Sequence, residues 1–410
     1  MRNRPWLERR HAWRASALLL CSAANALAAC SSDEDPAQTS ASSSGSATSG
    51  GDAASTSIGS GAGGASSTGG SASGGSAGAG GEASGGNAGA GGGGGMGGGE
   101  TFTVAGCYID DFVSPPLGGP NYDQFMPVVG SHCMGTNHQD ITGVERVVFV
   151  GDSVTVGTPP TASGDYYRSK LAAALASKFG LTAPSFLWQT VNFLDGVSLI
   201  QEEGDFASCA KWGARTDDLV ADNTQLETCM PLAQQSKRTL VVMTMGGNDI
   251  SSLTQDAIAG VPMADLWTST QGFVADFEAA IAWIKEPGRF PNGVFVVYGN
   301  MYEFTDGTGD VQSCDVSALA GFDQPVPAPD ELKAMVIWAN EQYARISVDW
   351  GVDMTFMLED FCGHGFASDD PTAPCYRGPN TPQWFDLTCI HPNPAGHQHI
   401  TDMFMAVVDE

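Results

Sequence analysis

The chain has 410 residues, of which 42% are apolar, and it carries 46 acidic against 18 basic side chains, a formal charge of −28. So acidic a chain disfavours nucleic acid and anionic lipid headgroups as partners. Beyond residue 29 no apolar run reaches the length of roughly 20 residues that a membrane-spanning helix needs.

Arg2, Arg4, Arg9, Arg10 and Arg14 precede the apolar stretch Ala15 to Leu20 and a run of small residues to Ala29, the layout of a secretory signal peptide over residues 1–29. That segment holds five arginines and one glutamate, so the exported remainder carries about −32 by the same count. Leu27-Ala28-Ala29-Cys30 is similar to a bacterial lipoprotein box, which implies lipidation of Cys30 and anchorage at the outer membrane or cell surface. Ordinary cleavage, with secretion and a spare thiol at Cys30, is the alternative. Residues 31–100 are almost entirely Gly, Ser, Ala and Thr and bury too little apolar surface to offset their ordering entropy. With Cys30 they form an expected tether, residues 30–100, whose span as a Gly-rich coil is roughly 40–50 Å. Gly74-Gly75-Ser76-Ala77-Gly78 matches a serine-hydrolase elbow, but no strand leads into it, so it reflects composition and not chemistry.

Residues 101–410 suffice for one sizeable domain. Apolar, β-branched runs predict buried strands at Arg146 to Val150, Thr239 to Met245, Val294 to Tyr298 and Val352 to Met357, with a weaker one within Phe186 to Phe193. Helical patterns lie between them at Tyr166 to Phe179, Thr268 to Ile284, Pro329 to Trp350 and Pro394 to Val408. Pro329 followed by Asp330 and Glu331 is a strong helix start. Alternation of strand and helix predicts an α/β fold with a parallel sheet covered on both faces and a site at the carboxyl ends of the strands.

The chemistry-bearing residues fall at those ends. Gly151-Asp152-Ser153 closes the first strand, and Met245-Gly246-Gly247-Asn248-Asp249 follows the second. Trp212-Gly213-Ala214-Arg215 lies between them, and Cys389-Ile390-His391-Pro392-Asn393 precedes the last helix. A serine hydroxyl is a poor nucleophile unless a base takes its proton. Ser153 is therefore the candidate nucleophile and His391 the candidate base. The Asn248 amide donates without carrying charge, and Gly213 lets its N–H approach a ligand closely. In the order Gly-Asp-Ser, Gly, Gly-x-Asn-Asp and His-Pro-Asn, the chain resembles the SGNH or GDSL hydrolases, a family of esterases, lipases and carbohydrate deacetylases, over about residues 144–400. The resemblance implies a three-layer α/β/α flavodoxin-like fold. It also implies Ser153 as nucleophile, His391 as general base, and an oxyanion hole from the N–H groups of Ser153 and Gly213 and the Asn248 side chain. One departure matters. The family usually carries an aspartate three residues before the histidine, and that position is Thr388 here. Asp386 is the nearest upstream acid and is the expected third member if the loop brings it to the imidazole Nδ1; otherwise a main-chain carbonyl takes that place.

Cys107, Cys133, Cys209, Cys229, Cys314, Cys362, Cys375 and Cys389 are an even set in an exported chain, which suggests four disulfides. Sequence proximity favours 107 with 133, 209 with 229 and 362 with 375, leaving 314 with 389. Their spacing with histidine is unsuited to zinc, so no metal is expected, and the chemistry requires no cofactor. His397 and His399 are expected at the surface or in capping roles, and Asp306 with Asp310 in a turn. The expected protein is an extracytoplasmic, monomeric serine esterase acting on a lipid, a small ester or an acylated glycan, touching membrane only through its anchor and binding no nucleic acid. A carbohydrate deacetylase of the same fold and a non-catalytic surface binding module are the alternatives.

Overall fold

Val147 and Phe149 point to one side of the first strand and Val148 and Val150 to the other, and all four are buried. A strand hidden on both faces needs helices on both faces. The computed structural model describes residues 102–114, 118–220 and 225–410; the expected signal peptide 1–29, the expected lipidation site Cys30 and the expected tether to residue 100 lie outside the described residues.

The main sheet contains β1 (Arg146–Gly151), β4 (Glu202–Glu203), β5 (Phe206–Ser208), β6 (Thr239–Thr244), β7 (Val294–Gly299) and β8 (Asp353–Thr355). Its order is β4-β5-β1-β6-β7-β8, parallel from β5 to β8, with β4 antiparallel at the edge. Leaving β4 aside, this is the flavodoxin-like order, with β1 at the point where the winding reverses. A separate hairpin joins β2 (Val191–Asn192) to β3 (Val197–Ser198).

The helices used below are α1 (Ser153–Val156), α2 (Tyr167–Phe179), α3 (Gln225–Cys229), α4 (Gly247–Ile258), α5 (Met263–Ile284), α6 (Pro329–Trp350), α7 (Met357–Phe361) and α8 (Pro394–Asp409). Val148, Val241 and Val296 pack with Phe277 of α5 and Met335 of α6 on one face. Phe149, Leu240 and Val297 pack with Leu171 of α2 and Phe404 of α8 on the other. The result is a three-layer α/β/α fold.

Four predicted strands form close to their expected bounds, and α6 begins and ends where Pro329 and the left-handed Gly351 place it. The weak strand within Phe186 to Phe193 forms only at its end, as β2 (Val191–Asn192), which pairs with β3 in the hairpin and not with the main sheet. Ser185 accepts a hydrogen bond from the Leu187 N–H and opens a helical turn at Phe186–Gln189 instead. The strand that pairs with β1 on that side is Phe206–Ser208, too short and too small in its side chains to stand out as a pattern. His397, expected near the surface, is fully buried, and its Nδ1 accepts the Tyr167 N–H at 3.2 Å.

Disulfides join Cys107 to Cys133, Cys209 to Cys229, Cys362 to Cys375 and Cys314 to Cys389. The last links the segment after β7 to the loop carrying His391 and closes a sequence separation of 75 residues. Closing so long a loop restricts the unfolded chain. Replacing Cys314 and Cys389 together by serine is expected to cost about 2–5 kcal/mol, read as a lower denaturant midpoint under oxidising conditions.

Candidate active site

Gly151 ends β1 at φ 134°, and a Cβ there would meet the Thr244 carbonyl oxygen of β6 at 2.2 Å. Only glycine allows the two strands to approach so closely at this end. Asp152 then caps α1. Its Oδ1 accepts the Val154 N–H at 3.0 Å and the Thr244 hydroxyl at 3.2 Å, and burial raises its pKa to about 7. These bonds make Asp152 a brace of the turn. Ser153 is thereby the first residue of α1, where the backbone N–H has no partner within the helix.

Gln225 of α3 supports the same turn from outside the sheet. Its buried amide accepts the Gly151 N–H at 2.7 Å and donates at 3.0 Å to the Gly151 carbonyl, which also accepts the Lys211 N–H at 3.0 Å.

Ser153 Oγ lies 2.9 Å from His391 Nε2, across 238 residues of sequence. The histidine loop is tight and held at several points. The Asp386 N–H donates to the His391 carbonyl at 2.9 Å, Cys389 takes a left-handed φ of 70° while disulfide-bonded to Cys314, and Tyr302 donates to the Ile390 carbonyl at 2.9 Å. Asn393 caps α8 through the N–H groups of Ala395 and Gly396. Burial pushes the pKa of His391 down to about 4, so the ring is a neutral acceptor at ordinary pH.

The third position is filled differently from either expectation. Thr388 Oγ1, not a carboxylate or a carbonyl, lies 2.7 Å from His391 Nδ1. Asp386 stands one step further out, with Oδ1 accepting the Thr388 hydroxyl at 2.5 Å and the Thr388 N–H at 2.8 Å. A hydroxyl both donates and accepts. With Thr388 donating to Asp386, its oxygen accepts the His391 Nδ1–H, leaving Nε2 free to accept from Ser153. Burial raises the pKa of Asp386 to about 6. The tight turn explains the arrangement: Asp386 is spent holding its own Asp-x-Thr turn, which carries Thr388 to the ring.

Asn248 lines the same cleft as Ser153 and His391, and the turn at Gly213 is tied to it through Ala214. The Asn248 amide donates to the Ala214 carbonyl at 2.9 Å, which fixes the Gly213 turn beside it and leaves its second N–H for a ligand. Asp249 accepts the Arg215 Nε–H at 3.2 Å and the Thr216 N–H at 3.1 Å, and Trp212 Nε1 donates to the Gly157 carbonyl at 2.8 Å. Gly213 sits at φ 69° between these ties, and its N–H meets no protein acceptor among the described residues.

Other polar residues have structural work. Asp306 accepts the N–H groups of Gly363, Gly365 and Ala367 at 2.8–2.9 Å, and His364 stacks on Trp384 at 3.4 Å.

A flavodoxin-like sheet with a paired serine and histidine beside amide donors at its strand ends defines a hydrolase of ester bonds. The chain belongs to the GDSL-like Lipase/Acylhydrolase family, whose model matches residues 149–399. Among solved structures it is similar to a gut microbial diltiazem-metabolizing enzyme, with 13% identity over 67% of this chain and 49% of that one and a TM-score of 0.38. It is also similar to a lipase from a goat rumen metagenome, with 12% identity, 64% and 96% coverage and a TM-score of 0.39. A two-domain esterase active on acetylated mannans gives 15% identity, 66% and 51% coverage and a TM-score of 0.36. The chain spans about half the length of the first and third of these. No curated protein sequence matches.

Thr388 and Gln225 were not expected as site residues. Thr388 stands where the family pattern places an acid, and the Asp-x-Thr spacing was its available signal; nothing local marks Gln225. Gln225→Leu would leave the Gly151 N–H without its partner and its carbonyl with the Lys211 N–H alone, so it is expected to lower stability by about 1–3 kcal/mol and to reduce kcat more than it raises KM, measured by denaturant unfolding and steady-state kinetics.

Proposed function

We propose that this protein is an extracytoplasmic serine esterase that hydrolyses carboxylic esters through an acyl-enzyme, with Ser153 as nucleophile, His391 as general base and acid, and Asp386 acting on His391 through Thr388. The 2.9 Å contact between Ser153 Oγ and His391 Nε2 carries the reading. Residues 101–410 are the catalytic domain. The signal peptide 1–29, the lipidated Cys30 and the tether to residue 100 would export and anchor it, and four disulfides agree with an oxidising compartment. It works as a monomer.

In the first half-reaction Nε2 takes the hydroxyl proton as Ser153 Oγ attacks the ester carbonyl carbon. The oxyanion receives the N–H groups of Ser153 and Gly213 and the remaining Asn248 N–H. Collapse of the tetrahedral intermediate breaks the bond to the alcohol, which leaves with the proton from Nε2. Water then attacks the acyl-enzyme, giving a proton to Nε2, and that proton returns to Ser153 Oγ as the carboxylic acid departs. The Nδ1–H stays directed at Thr388 throughout, and the ionised Asp386 stabilises the imidazolium through the hydroxyl.

An active-serine phosphonate should label the disulfide-intact protein at Ser153, and Ser153→Ala and His391→Ala should each lower ester hydrolysis by at least about 10³-fold. A labelled protein whose adduct maps elsewhere, or full turnover in either variant, sinks the reading. Asn248→Ala is expected to lower kcat by about 10²–10³-fold.

The relay also fixes a pH dependence. Asp386, with its pKa raised to about 6, loses its charge as pH falls through about 6, and His391 loses its basicity only near 4. The acid limb of kcat/KM should therefore begin near pH 6 in the wild type. In Asp386→Asn it should retreat toward pH 4, with a plateau lower by about tenfold, the worth of a charged against a neutral hydrogen-bond partner. Thr388→Val should cost about 10²-fold or more in kcat, and Thr388→Ser should restore most of it. Equal rates in Thr388→Val and the wild type would remove the bridging role.

A further inference from the structure

The cleft that holds Ser153 and His391 has a volume of about 680 Å³ and extends well beyond them. It runs across the carboxyl ends of four neighbouring parallel strands. Ser153 follows β1, Met245 and Asn248 follow β6, Met301 follows β7, and Leu358 and Glu359 follow β8. Adjacent strands lie about 4.8 Å apart, so three spacings separate the ends of β1 and β8 by roughly 14 Å. Leu332 and Val336 of α6 line one wall, and Tyr108 and Phe112 close over it from the segment before β1.

That covering segment is fixed in place. Cys107 is bonded to Cys133, the N–H groups of Val104 and Ala105 donate to Asp123, and the Tyr108 hydroxyl donates to the Asp360 carboxylate at 2.9 Å. The walls are mainly apolar until the far end. There Glu359 accepts the Asn300 amide at 3.0 Å, and Asn300 also donates to the Tyr122 hydroxyl at 2.7 Å.

We infer that this cleft is an acyl-chain site and that the preferred substrates are esters of unbranched acyl chains about ten to twelve carbons long, with Ser153 at the carbonyl end and Glu359 beyond the chain terminus. This rests on the esterase reading above. An extended chain advances about 1.2 Å per bond, so roughly 14 Å accommodates about twelve bonds. An acetyl group would leave nearly all of this apolar surface wet, which disfavours acetylated glycans as substrates. The acyl group, not the alcohol, suits the covered cleft, because it stays on Ser153 through both half-reactions while the alcohol must leave and give way to water.

The test is a series of p-nitrophenyl esters from acetate to palmitate with the full chain. Specificity kcat/KM should rise by up to about three- to fourfold per methylene, the effect of burying each one, and stop rising near ten to twelve carbons. Leu332→Trp and, as a milder obstruction, Val336→Trp should each lower the ratio of decanoate to acetate turnover by tenfold or more. A flat or falling series in the wild type overturns the acyl-chain assignment. So does a preference that follows the length of the alcohol when the acyl group is held at acetyl. Loss of all hydrolysis in Ser153→Ala, whatever the chain, separates these outcomes from failure of the esterase reading, in which no ester would be turned over or Ser153→Ala would remain active.

Discussion

The close approach of β1 to β6 at Gly151 is the constraint on which the site depends. With no Cβ between Gly151 and the Thr244 carbonyl, the two strands stay paired in register to their last residues. The turns that follow, carrying Ser153 and Asn248, are then held one strand spacing apart. Thr244 joins them again through its hydroxyl, which donates to Asp152. Gly213 enters from the other neighbour, β5, and is drawn in by Ala214 and Trp212. Three loops from three adjacent parallel strands are therefore tied together at one end of the sheet without any long-range adjustment.

Electrostatically the site is shaped by burial. Burial makes His391 a weaker base than free histidine, and it makes Asp386 a weaker acid than free aspartate. Separating the two by a threonine hydroxyl reduces the attraction that would otherwise restore both. Each is then held closer to neutrality, and the polarity of the chain from aspartate to serine is set by the order of donors and acceptors more than by fixed charge.

Much of this was legible in the sequence, and the reasons are local. An apolar, β-branched run ending in Gly-Asp-Ser or Gly-Gly-Asn announces both a buried strand and the residue delivered at its end, so Ser153 and Asn248 could be read directly. His391 could be read from its proximity to Pro392, Asn393 and a helix start. The third position could not, because whether Asp386 or Thr388 meets the ring depends on a left-handed Cys389 and a disulfide to Cys314, neither of which a six-residue pattern encodes. β5 was illegible for a different reason: Phe206, Ala207 and Ser208 form a strand because β1 offers them a parallel edge, and not by their own propensity. Phe186 to Phe193 has the stronger strand composition, but Ser185 captures its first half as a helical turn and only Val191 and Asn192 pair as a strand.

The cover of the cleft comes from residues before β1, outside the 149–399 segment that the family model matches, and is fastened by its own disulfide at Cys107 and Cys133. Part of the cleft wall thus comes from a stretch of chain separate from the one that carries Ser153 and His391. Substitution at cleft-facing positions such as Phe112 can reshape that wall while Ser153, His391 and their supports stay untouched. For the engineer, the same separation makes the cleft-facing positions of that segment, Phe112 among them, a place to reshape the cleft while the Cys107–Cys133 disulfide and the Tyr108–Asp360 hydrogen bond keep the segment fastened.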